Sequence, residues 1–134
     1  TKLGYKIISC DISSNPSTAA KSLNISKNQK IKIIDLRNMK QVIRATKGIS
    51  AVIHFGGIPR HKPKEDNYKN IIDHNIIGTY NIFEASRINK VKRIIFASSA
   101  HVVGYHNRKN KLDEKCELRP DSHYAVSKCF GESL

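Results

Sequence analysis

Tyr124 and Lys128 lie four residues apart in the stretch PDSHYAVSKCFGESL, and two hydroxyls, Ser98 and Ser99, stand upstream of them. Four residues is the spacing that stacks two side chains on one face of a helix. A phenol, with a pKa of about 10, is a poor base at neutral pH, but an ammonium beside it stabilises the phenolate and brings it towards the working range. A serine hydroxyl such as that of Ser99 would then hold a substrate oxygen while Tyr124 takes its proton and hydride leaves the carbon. A bare YxxxK is more often a tyrosine packed on a sheet with a lysine stem beside it. A serine pair after a strand, with YxxxK opening the next helix, is far more specific.

The elements that must position these groups are legible as apolar runs. Lys6 to Cys10, Ile31 to Ile34, Ala51 to Phe55 and Arg93 to Ala97 have strand length and β-branched content. None alternates cleanly, which predicts strands buried on both faces of a parallel sheet. A short helix is expected over Met39 to Thr46, closed by Lys47-Gly48 as a C-cap. A longer one spans Asn67 to Asn89, with Ile71, Ile72, Ile76, Thr79, Ile82, Phe83 and Ser86 recurring at helical spacing. Ser13 to Lys30 is compatible with a short helix or an ordered loop, and Tyr105 to Leu118 reads as a polar surface loop. Either Asp121 or Ser122 would N-cap the terminal helix. Strand–helix–strand alternation at this pitch predicts right-handed βαβ units and an α/β, doubly wound parallel sheet. The 134 residues suit a single domain.

In such a sheet, ligands bind outside the carboxyl ends of the strands. The four strand ends lead in turn to Asp11, Asp35, Gly56-Gly57 and Ser98-Ser99. Two acids, a glycine pair and a serine pair on one rim are the groups a dinucleotide site uses. Asp11 would accept hydrogen bonds from the two hydroxyls of a ribose, and its charge would repel a 2′-phosphate, favouring NAD over NADP. It could equally cap the Ser13-Ser14 turn, and Asp35 could cap the next helix. Gly56-Gly57 is either a turn or a place where the backbone approaches a cofactor closely.

Composition narrows the classes. Hydrophobic residues make up 39% and charged residues 26%, which describes a globular chain, and no apolar run approaches the length of a membrane span. Cys10, Cys116 and Cys129 are odd in number and lack CxxC spacing, so neither a disulfide framework nor a metal site is expected, and a cytoplasmic setting is. The formal charge of +13 raises nucleic acid as a partner, but the 24 Lys and Arg are scattered. The densest patches, Arg60 to Lys64 and Arg108 to Lys111, are short and poor in aromatics, so a solvated basic surface is expected and no nucleic-acid partner.

The blocks SCDIS (9–13), IIDL (33–36), VIHFGGIP (52–59), NIIGTYNIFEASR (75–87), VKRIIFASSAHVVGY (91–105) and PDSHYAVSKCFGE (120–132) resemble, in order and spacing, the extended short-chain dehydrogenase/reductase family of NAD-dependent epimerases and dehydratases. Within it they look most similar to the uronate dehydrogenases, which oxidise hexuronic acids at C1 with NAD. The resemblance implies a Rossmann-like fold with NAD as cofactor. It makes Ser99, Tyr124 and Lys128 the catalytic group, with Lys128 also holding the nicotinamide ribose. Asp11 would meet the adenosine ribose, Asp35 and Leu36 the adenine, and Phe55, Gly56 and Gly57 the pyrophosphate and ribose. Asn75 would lie near the nicotinamide side, and Ser99 and His101 would touch a sugar or sugar-acid substrate. Members often pair through two long helices, so a homodimer is expected of an intact protein. The family's GxxGxxG loop has no counterpart here, which is expected of a fragment lacking its first strand, glycine-rich loop and substrate-binding portion. Ser98-Ser99-Ala100-His101 stands where uronate dehydrogenases carry SSNH, and Gly56-Gly57-Ile58-Pro59 where they carry GGIS. A nucleotide-sugar epimerase or dehydratase, and an inactive truncation that binds NAD poorly, are the alternatives.

Overall fold

The computed structural model describes residues 4–13, 31–59, 68–107, 109 and 111–134. The connection from Ser14 to Lys30, the expected start of the long helix at Asn67, the basic patch Arg60 to Lys64, and Arg108 and Asn110 of the second patch lie outside the described residues. Two compact units divide the chain, Thr1–Asp35 and Leu36–Leu134.

In the first unit, β1 (Ser9–Asp11) and β2 (Ile31–Ile33) pair in parallel, Ser9 opposite Ile31 and Asp11 opposite Ile33. The Ile34 N–H donates to the Asp11 carbonyl at 2.8 Å and extends the ladder. The described strand is Ser9–Asp11, where the apolar run suggested Lys6 to Cys10.

The second unit begins with α1 (Met39–Thr46), which has the predicted bounds. Asn38 caps it by accepting the Gln41 N–H at 3.1 Å, so the capping role considered for Asp35 falls to a residue three positions on. Past its end Gly48 adopts φ +73°, the left-handed conformation that terminates helices and that glycine tolerates best. β3 (Ala51–His54) and β4 (Arg93–Phe96) pair in parallel, Ala51 opposite Arg93 and His54 opposite Phe96. Between them run α2 (Tyr68–Ile71), a π-helical segment (Ile72–Ile77) and α3 (Gly78–Ile88).

The strands of this unit are not buried on both faces. His54 is buried and Phe96 partly so, covered by α3 and by the terminal helix α4 (His123–Glu132). Phe83 meets Phe96 edge-on at 6.3 Å, and His54 Nε2 lies 3.0 Å from Thr79 Oγ1. The opposite face, carrying Ile53 and Ile95, is exposed. An uninterrupted apolar run signals what a strand can bury, and only one side of this pair is covered among the described residues.

The long helix follows its apolar pattern except at Ile72, and adds a polar residue to the inner face. Ile71, Asn75, Thr79, Ile82, Ala85 and Ser86 are buried, while Ile72 is exposed. Within the π-helical segment the polar Asn75 is buried, its amide bonded to both backbone groups of Ile58 and to Ser127. The four-residue spacing Ile71–Asn75–Thr79 holds through that segment.

Candidate active site

Lys128 sits mid-way along α4, whose first turn is held by Ser122, not Asp121: the Ser122 hydroxyl accepts the Ala125 N–H at 3.2 Å. Only 7% of Lys128 is exposed. Its Nζ donates to the Ala97 carbonyl at 2.9 Å, at the carboxyl end of β4. The same ammonium lies 5.6 Å from the Tyr124 ring centroid and 4.9 Å from that of Phe96. Burial pushes its pKa below the ordinary lysine value. The helical spacing read from the sequence therefore places a desolvated cation beside the tyrosine. The helix lies directly on the strand, since an added Cβ on Gly131 would come 2.3 Å from the Phe96 ring.

The serine pair divides its work. Ser98 Oγ donates to Glu132 at the end of α4. Ser99 opens a 3₁₀ turn (Ala100–Val103) that the sequence did not announce, its Oγ accepting the His101 N–H at 3.3 Å. His101 then meets Tyr124 edge-on, ring centroids 6.4 Å apart at 79°. Ser99, His101, Tyr124 and Lys128 are thus linked contact by contact at one strand end.

Asp121, read from sequence only as a possible cap, approaches His101 instead: its Oδ2 lies 2.6 Å from Nδ1. No pattern in the sequence marks two residues twenty apart as partners. His54 was likewise missed, being the interior end of an apolar run. Burial first and the Lys128 charge second lower its pKa to about 4, so it is neutral at physiological pH.

At the end of β3, Phe55 is 75% exposed, and Gly56 and Gly57 come next. An added Cβ at Gly56 would lie 2.5 Å from Leu36 Cδ1, and one at Gly57, with φ +146°, 2.9 Å from Asn75 Oδ1. Asn75 holds this loop from below: its Oδ1 accepts the Ile58 N–H at 2.7 Å, and its Nδ2 donates to the Ile58 carbonyl at 3.0 Å and to Ser127 Oγ at 3.2 Å. Ser127 in turn donates to the Tyr124 carbonyl at 2.6 Å. The glycine loop and the tyrosine helix share one buried strut.

In the first unit, Asp11 ends β1 and Asp35 comes just after β2. Asp11 Oδ1 accepts the Ser13 N–H at 3.2 Å, the turn-capping bond anticipated for it, and the carboxylate remains exposed. No group of three or more His, Cys, Asp or Glu among the described residues could hold a metal, and Cys10, Cys116 and Cys129 are free thiols. No helix among the described residues is long and apolar enough to cross a membrane.

Comparison with known proteins bears on what this arrangement serves. A family model described as the NAD dependent epimerase/dehydratase family matches residues 1–134. A uronate dehydrogenase from Pseudomonas syringae pv. tomato is 37% identical over 110 residues, 82% of this chain and 38% of that protein. One from Agrobacterium fabrum is 42% identical over 100 residues, 75% of this chain and 36% of that protein. The chain therefore spans under two fifths of the length of these relatives. A crystal structure of a uronate dehydrogenase variant from Agrobacterium tumefaciens complexed with NAD superposes with a TM-score of 0.76 at 35% identity, covering 93% of this chain and 43% of that one.

Proposed function

The chain belongs to the NAD dependent epimerase/dehydratase family, and from that premise we propose that the whole protein is an NAD-dependent oxidoreductase of a sugar acid, oxidising a hexuronic acid at C1. The observation that carries this is the linked set at the end of β4. A buried Lys128 ammonium is fixed on the Ala97 carbonyl and faces the Tyr124 ring, with Ser99 and His101 alongside.

NAD is the cofactor that family membership and the NAD-complexed relative support. Gly56 and Gly57, whose missing side chains leave room for Leu36 and Asn75, form the loop that this reading assigns to the pyrophosphate and ribose. Phe55 borders that loop, with Leu36 behind Gly56. This reading assigns Asp11 to the adenosine ribose, Asp35 to the adenine and Lys128 to the nicotinamide ribose. When bound, NAD supplies the hydride acceptor. Ser99 orients the hydroxyl on C1 of the sugar acid. Tyr124 takes that hydroxyl's proton as the hydride leaves C1, and Lys128 supplies the positive charge that an anionic ring oxygen needs. His101 contacts the substrate. Asn75, whose amide is occupied by Ile58 and Ser127, contributes by fixing the glycine loop.

A homodimer accompanies this proposal, since Ile72, Ile77, Tyr80 and Val126 leave the two long helices with exposed apolar side chains. A cytoplasmic setting accompanies it as well, in keeping with three free thiols.

The test is made on the full-length protein with galacturonate or glucuronate and NAD. One NADH released per sugar acid is expected, with Tyr124→Phe abolishing release while calorimetry still detects NAD binding. Undiminished turnover by Tyr124→Phe rejects its role. Interconversion of a nucleotide sugar without net NADH would make the protein an epimerase or dehydratase instead.

A further inference from the structure

His101 and Asp121 are joined twice. Beyond the 2.6 Å approach of Nδ1 to Oδ2, the Asp121 N–H donates to the His101 carbonyl at 3.3 Å. Flanking bonds continue the pairing: the Arg119 N–H to the Val102 carbonyl at 2.8 Å, and the Tyr105 N–H to the Arg119 carbonyl at 3.0 Å. The segment before α4 is thereby laced to the 3₁₀ turn that carries His101. The carboxylate's other oxygen is also held, Oδ1 accepting the Ser122 hydroxyl at 2.9 Å.

The turn is shaped around this carboxylate. Gly104 has an ordinary φ of −64°, so any residue could adopt its backbone. What it lacks is space: an added Cβ would fall 2.3 Å from Asp121 Oδ2, 2.5 Å from Cγ and 2.8 Å from Cβ. Glycine here makes room for the acid.

We infer that Asp121 is a positioning residue for His101, its carboxylate keeping hydrogen on Nδ1 and thereby fixing the ring that the proposed function sets against the sugar acid. A carboxylate accepts only, so the nitrogen facing it must carry hydrogen, and the bond made by one ring nitrogen fixes the state of the other. Tyr124, edge-on to the same ring, limits its rotation. The substrate contact rests on the proposed oxidation of sugar acids, whereas the tautomer does not.

The experiment uses the full-length protein, Asp121→Ala, which removes the acceptor, and Gly104→Ala, which leaves the acid in place but occupies its space. Nitrogen-15 NMR of the imidazoles should show His101 as the Nδ1–H tautomer in the wild type. Both variants should lose that signature. In both, kcat/KM for galacturonate should fall about ten- to a hundredfold, as loss of a charge-assisted hydrogen bond implies, mostly through KM, with NAD affinity unchanged within about twofold. An Nε2–H tautomer in the wild type overturns the inference, as do variants that keep both tautomer and KM. If the wild type oxidises no sugar acid, the proposed function fails while the NMR still decides the pair.

Discussion

His54 and Lys128 flank the Phe96 ring on the covered side of the β3–β4 pair: the imidazole centroid lies 5.6 Å from that ring's and the ammonium 4.9 Å from it. One buried base is neutral and the other cationic, and the second helps to keep the first uncharged. Burial is the larger cause for His54, and it is the cause for Lys128. The site thus concentrates its positive charge on one group, the one beside Tyr124.

The His54 shift has a consequence for stability. Its folded pKa is about 4 against an ordinary 6.5, so between those values the unfolded chain binds a proton that the native state refuses. Stability should therefore rise with pH from about 4 to about 6.5 and level off above, this group contributing at most about 3 kcal/mol to the difference. Urea midpoints at pH 4.5 and 7 measure it. His54→Gln should flatten the slope over that window, and an equally steep profile in the variant would assign the effect elsewhere.

Asn75 offers a test of how the glycine loop is held. Asn75→Ala removes the bonds to both part-buried backbone groups of Ile58 and to Ser127. A loss of about 2–4 kcal/mol is expected from urea unfolding, together with weaker NAD binding by the full-length protein. Weaker binding with unchanged stability would instead make Asn75 a direct cofactor contact.

Much of this is legible in the sequence because it is local. Met39 to Thr46 declares itself by its length and a glycine stop, Ala51 to Phe55 and Arg93 to Ala97 by strand length and β-branched content, and Tyr124 with Lys128 by helical spacing after a serine pair. Chain order then locates the strand ends, which is why Asp11, Gly56-Gly57 and Ser99 stand out without any knowledge of their surroundings. The hidden part depends on partners distant in sequence. Asn75 can face inward because Ile58 and Ser127 satisfy its amide, whereas apolar periodicity nominated Ile72, which is exposed. Asp121 faces His101 because Gly104 leaves space, whereas proximity to α4 nominated it as a cap.

Lys128 presents the sharpest contrast between fold and function. Lys128 is only 7% exposed, and its depressed pKa records that burial disfavours the charge. Lys128→Met keeps the stem over Phe96 and removes the cost, at the loss of the bond to Ala97. Stability should change by less than about 1 kcal/mol, in either direction, because the two effects offset. Catalysis should collapse, since Tyr124 loses its neighbouring charge. The His54 resonance adds a check within the same sample: without the ammonium, its pKa should move up from about 4 towards the ordinary value, though not to it, because burial remains. A His54 titration unmoved in Lys128→Met would mean that the two groups do not share a field, and the charge placed beside Tyr124 would then need another source.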